Sequence, residues 1–190
     1  MPFVPGTNVP TSPGSPIANA LGALRTTFDP MQVFWDDFGA ASIDTTNRWS
    51  TSSGGGGVAP SQTIGTASLA TGTTANGFSL LQTLPTFLPR NPGFLIAQAQ
   101  IQVEAAPFIA NTYRFWGFAS FPGSPTAALP LTNAVGFELG TDGHLRAVTY
   151  NSGARNLSAD ITQFMPVDGG VHMFVIYFRG DRMVWCIDSY

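Results

Sequence analysis

The stretch Ala97-Gln98-Ala99-Gln100-Ile101-Gln102-Val103-Glu104 constrains the fold more than any other: every odd position is apolar and every even position polar. Successive side chains of a strand point to opposite faces, so this alternation specifies a half-buried antiparallel strand. Ala97, Ala99, Ile101 and Val103 then face a core. A helix would scatter the same residues around its circumference.

The rest of the chain follows the same logic. Tyr113–Ala119 is apolar on both faces and is expected to be a central strand. Val135–Leu139 and Leu145–Tyr150 are joined through Asp142-Gly143, a strong hairpin signal. Phe174–Phe178 and Met183–Ile187 are joined through Gly180-Asp181. Asn151-Ser152-Gly153 and residues 166–170 read as loops. Residues 50–77 are almost wholly Ser, Thr, Gly and Ala, with Gly54 to Gly57 in a row. They read as a long exposed loop with a flexible glycine linker, then a small-residue strand near Thr66–Thr71. Strands recur with turn chemistry and without a fixed repeat, so the expected class is an all-β antiparallel sandwich.

The N-terminus is different. Residues 1–16 hold five prolines and two glycines, a composition that makes an extended arm rather than a core or a ladder. Ser15 and Pro16 suit the start of a helix, and Ile17, Leu21 and Leu24 share one helical face. Asp29-Pro30 would end it. The chain is therefore read as a Pro-rich arm with one short helix over 1–30 and a β domain over 31–190. Phe3, Val4, Pro5, Val9, Pro10 and Pro13 are the residues through which such an arm would attach to a partner.

Charge narrows the partners. Charged residues make up 10% of the chain, well below the roughly 25% of ordinary domains. All 8 basic residues are arginine and the net charge is −3, so nothing steers toward nucleic acid or an anionic membrane. No apolar run reaches the length of a membrane span, and Met1-Pro2-Phe3-Val4 lacks the basic start of a signal peptide. Cys186 is the single cysteine and is expected to pack as a small hydrophobe. A surface so poor in charge must carry small polar residues or be covered by other chains.

The residues of catalysis are sparse. Asp36 and Asp37 are adjacent, and on a strand neighbours face opposite ways, so they cannot flank one bond. Glu104 and Glu138 fall on the polar side of their alternations and are expected to face solvent. His144 and His172 have no acidic or cysteine neighbour at metal-ligand spacing. No nucleophile elbow or phosphate loop occurs. Arg179-Gly180-Asp181 is read as hairpin chemistry rather than an integrin signal, and Asn156-Leu157-Ser158 as an unused glycosylation pattern. The chain is thus expected to be no enzyme and to need no metal or cofactor. The aromatics, 4 Trp, 4 Tyr and 15 Phe, suit a sandwich core. Trp49, Tyr113, Trp116 and Tyr150 are the candidates for stacking on a glycan.

Some of these segments also carry a family likeness. Trp35-Asp36-Asp37-Phe38 with Asn47-Arg48-Trp49 resembles the first strand of concanavalin A-like lectin/glucanase domains. The stretch from Ala134 to Leu145 and the hairpin Phe174–Trp185 are similar to later strands of that fold. The likeness spans about residues 33–188, and the texture is close to modules of this jelly-roll type in bacteriophage structural proteins. The acid–base strand of the glucanases and the metal cluster of the legume lectins have no counterpart here. The resemblance therefore implies shape: a non-enzymatic virion component, in a fibre, tail or capsid decoration, homo-oligomeric and attached to other virion chains by its arm. A carbohydrate-binding module for host glycans is the alternative. Met183–Ile187 is apolar on both faces, and an apolar strand edge invites pairing. Its outer edge is expected to be closed by a strand such as Val33–Phe38, by a neighbouring subunit or by further polypeptide.

Overall fold

The computed structural model describes residues 17–18, 24–25, 34, 36–85, 94–103, 112–120, 131–164, 169–179 and 182–188. The chain divides into two units, Met1–Asp37 and Phe38–Tyr190.

In the first unit Ile17–Ala18 (β1) and Leu24–Arg25 (β2) pair antiparallel, with Ile17 opposite Arg25 and Ala18 opposite Leu24. This replaces the helix expected there. A short helix containing Asn19 and Gly22 gains little from propensity, and Gly alone costs about 1 kcal/mol. The extended arm over 1–16 lies outside the described residues. Phe34, Asp36 and Asp37 carry no strand, so they give no sign of the strand expected over 33–38.

The second unit is built of antiparallel strands. Trp49–Gly54 (β3) pairs with Phe78–Thr83 (β6), and Val58–Thr63 (β4) pairs with Thr66–Ala70 (β5). Phe94–Gln102 (β7), Val171–Arg179 (β12) and Arg182–Ile187 (β13) form a sheet ordered β13-β12-β7. Arg114–Ser120 (β8), Asn133–Leu139 (β9), Leu145–Asn151 (β10) and Ala154–Leu157 (β11) form another, ordered β11-β10-β9-β8. A single turn of 3-10 helix covers Thr162–Phe164.

Residues 50–65 are strand and turn rather than a long loop, and the small-residue strand expected near Thr66–Thr71 is β5. Small side chains hide the period that marks a strand, which is why the sequence misleads here. The glycine run is not a linker either. Gly55 and Gly56 turn the chain between β3 and β4 with φ of 59° and 89°. A Cβ on Gly57 would run into the backbone of Phe78. Glycine is required there because two backbones meet.

The β8–β11 sheet and the β7–β12–β13 sheet share one core. Phe137, Leu139 and Leu145 come from the first; Phe174, Ile176 and Ile187 come from the second, with Val103 just past β7. Ala97 and Ile101 pack against this core, as the alternation requires, whereas Ala99 is exposed. Trp116 stacks on Phe137 with ring centroids 6.1 Å apart and meets Phe174 edge-on at 4.8 Å. Trp185 Nε1 donates to the Gly136 carbonyl at 2.9 Å, tying β13 to β9.

The β8–β11 sheet is covered on its other face as well. Leu131, Ala134, Val148 and Tyr150 make a second core, with Phe115 and Ala119 against it. Tyr113–Ala119 was expected to be a central strand, but among the described residues β8 pairs with β9 alone. Its apolar character on both faces comes from cores above and below, not from lateral partners. Beyond β10 the chain turns through Ser152 and Gly153, at φ of 49° and 84°. Asn151 and Ala154 then face each other. That two-residue geometry matches the twist of paired strands, so the expected loop is a hairpin that adds β11.

Candidate functional site

Glu138 is 0% exposed and is the buried charged residue of the described chain. It lies on the second-core face of β9, opposite Phe115 of β8 and Arg146 of β10. The expectation that it faces solvent is therefore wrong. Alternation assigned the correct side of the strand, but that side is covered.

Three residues hold the carboxylate. Tyr113 donates its hydroxyl to Oε2 at 3.2 Å and Tyr150 donates to the same oxygen at 3.4 Å. Arg155 donates Nε to Oε2 at 3.0 Å, and its Nη2 contacts Oε1. The two phenol oxygens are 3.0 Å apart. Burial pushes the Tyr113 phenol above the ordinary tyrosine range, and its hydrogen bond to Tyr150 adds to the shift. Tyr113 is thus a fixed donor at neutral pH. The position of Arg155 follows from the Ser152–Gly153 turn, since it sets Tyr150 opposite Arg155. Three donors on Oε2 and the guanidinium against Oε1 favour the carboxylate as the anion. Its described partners are two phenols and a guanidinium.

Both histidines are engaged by aspartates. His144 Nδ1 lies 2.7 Å from Asp160 Oδ2, joining the β9–β10 turn to the segment before the 3-10 helix. His172 Nδ1 lies 2.8 Å from Asp188 Oδ2. Asp188 also accepts from the Met173 amide at 2.8 Å, and its own amide donates 2.8 Å to the Met173 carbonyl. Among the described residues no three of His, Cys, Asp and Glu are placed to hold a metal ion. The pairs are clamps on strand ends.

These clamps set an acid dependence. The hydrogen bond from His172, then that from the Met173 amide, hold the Asp188 carboxyl below its usual range. Thr162 does the same for Asp160, and Arg146 for Asp142. A carboxyl whose folded pKa is depressed contributes stability above its unfolded pKa, near 4, and loses it as pH falls through the folded value. The melting temperature should therefore drop as pH is lowered from about 5 toward 2. Asp188→Asn should be less stable than the native chain at pH 7 and show a smaller drop on acidification. Calorimetry at several pH values measures both, and equal drops would show that Asp188 is not part of the clamp.

Of the four candidate stacking residues, Tyr113 and Tyr150 meet at Glu138, their hydroxyls 3.0 Å apart, and the two tryptophans lie elsewhere. Tyr150 is buried in the second core and Tyr113 is half-buried beside it. Trp116 packs on the first core. Trp49 is half-buried and stacks on Phe38 at 5.4 Å and 24°. As a correction, Tyr150 and Trp116 serve as internal packing: the strand faces that carry them are both covered. The attachment residues Phe3, Val4, Pro5, Val9, Pro10 and Pro13 lie outside the described residues, as do Glu104, Trp35 and the Gly180-Asp181 turn. Sequence reasoning missed the Tyr113–Glu138–Tyr150–Arg155 cluster. Its one local signal was tyrosine, an aromatic with a polar tip, on the same face as a carboxylate.

No family model, curated protein or solved structure matches this chain.

The outer face of the β7–β12–β13 sheet is the remaining notable surface. Ile96, Tyr177 and Val184 stand side by side across its three strands and are 40%, 43% and 43% exposed. Val175 and Cys186 form the next row, and Val171 is exposed further along.

Proposed function

We propose that this chain is a non-enzymatic structural module of a phage-type virion, a concanavalin A-like jelly-roll sandwich attached to its neighbours through the N-terminal arm. The observation that carries the assembly role is the exposed apolar row of Ile96, Tyr177 and Val184 on the outer face of β7, β12 and β13. Adjacent exposed apolar side chains are the kind of surface that protein contacts cover. The low charge supports the same reading, since such a surface is suited to contact with other chains. The buried Glu138 cluster supports a structural role, because its carboxylate is neutralised rather than presented. The phage assignment rests on the sequence resemblance.

The test uses the full chain and a version lacking residues 1–16, each produced during particle assembly. The full chain should sediment with purified particles in fixed stoichiometry. The truncated chain should keep the far-ultraviolet dichroism of a β protein and be lost from the particles. A full chain that never sediments with particles would overturn the virion reading. A truncated chain that still does so would move the attachment from the arm to the sheet.

A further inference from the structure

We propose that residues 158–162 form a latched strap, which covers the stretch of the β10 edge that β11 leaves open and lifts from it as a unit when Asp160 lets go.

β11 pairs with β10 from Val148 to Asn151. The outward backbone groups of Leu145 and Ala147 lie beyond that pairing, and the chain just after β11 meets all of them. The Ser158 amide donates to the Ala147 carbonyl and the Ile161 amide to the Leu145 carbonyl, both at 2.9 Å. The remaining partners are hydroxyls. The Ala147 amide donates to Ser158 Oγ at 3.0 Å, and the Leu145 amide donates to Thr162 Oγ1 at 2.9 Å. Each hydroxyl gives its own proton elsewhere, Ser158 to the Ala159 carbonyl and Thr162 to Asp160. A lone pair then serves the strand. Water can replace such an acceptor, so exchanging it costs little.

Ile161 anchors the strap by packing against the first core. Asp160 fixes the rest. Its Oδ1 accepts from the amide and the hydroxyl of Thr162, and its Oδ2 lies 2.7 Å from His144 Nδ1. One carboxylate thus ties the strap to the start of β10 and aims the hydroxyl that meets Leu145. That tie is wet: the His144 and Asp160 side chains are 49% and 44% exposed. Exposed ion pairs are weak, and segments held by solvent-facing hydrogen bonds open before the rest of a fold. The His172–Asp188 pair differs, since the backbone pairing of β12 with β13 holds those strands without it. Once lifted, the strap leaves Leu145 and Ala147 bare, an edge on which a foreign strand can template.

This goes beyond the virion reading and does not rest on it. The test is native-state amide exchange of the full chain at neutral pH, followed by NMR in low urea. The amides of Leu145, Ala147, Ser158 and Ile161 should share one opening. They should be about tenfold or more less protected than those of Arg146 and Val148, which point the other way, to β9. Urea should change that opening little, because it exposes little surface. Asp160→Ala removes an ion pair and two hydrogen bonds, and should lower protection of the four by about a further tenfold. It should leave Arg146 and Val148 unchanged. Equal protection of all six would overturn the strap, because only unfolding of the sheet would then free it. Unequal openings within the four would overturn lifting as a unit. An Asp160→Ala chain in which the four are unchanged, or all six fall alike, would overturn the latch.

Discussion

Replacing Phe174 by alanine should cost about 4 kcal/mol, the largest loss expected from a single core truncation here. The ring is 2% exposed and meets Trp116 at 4.8 Å and Phe137 at 5.0 Å, both edge-on. Each aromatic pair of this kind contributes about 0.5–1.5 kcal/mol beyond its buried area. The ring also joins the two sheets, so no single strand can shift to fill the cavity. Tyr177→Ala is the control. It lies three residues on, on the outer face, and should cost about 0.5 kcal/mol. Urea unfolding midpoints at constant slope measure both. Similar losses for the two would mean that β12 is in the opposite register.

Arg155→Met should cost about 3 kcal/mol at pH 7, although Arg155 itself is 42% exposed. The loss comes from the other partner: Glu138 is fully buried and would keep two phenols and no cation. Combining Arg155→Met with Glu138→Gln should be milder than Arg155→Met alone. A double variant less stable than either single one would mean that the cluster is held by packing rather than by charge.

These two sites show what the sequence discloses. The strand through Ala97, Ile101 and Val103 was legible because one face is wet and the other dry, and period two reports that difference. The hairpin through Asp142-Gly143 was legible because turn chemistry is local. Glu138 was not. Its partners stand 25, 12 and 17 residues away, and alternation cannot tell a solvated face from one covered by a second core. The same blindness made β8 read as central. The His–Asp pairs escaped for a related reason: His172 and Asp188 are 16 residues apart and meet only once β12 and β13 have paired. Between residues 50 and 77 the strand near Thr66–Thr71 was legible as β5, but β3 and β4 were hidden because Ser, Thr, Gly and Ala give no contrast between faces.

The nesting of β4 and β5 inside β3 and β6 bears on the order of folding. Closing β3 onto β6 directly would join segments separated by a long run of small, flexible residues, at an entropic cost that grows with the run. The β4–β5 hairpin, with a two-residue turn at Ile64-Gly65 between directly paired Thr63 and Thr66, should close first. That shortens the remaining loop from both sides. The distant β3–β6 pairing should follow, across the glycine turn at Gly55-Gly56. Local contacts thus precede the distant one, the sequence that keeps a sheet of weakly hydrophobic strands fast to form. A chain with little apolar drive in this region gains speed from topology instead.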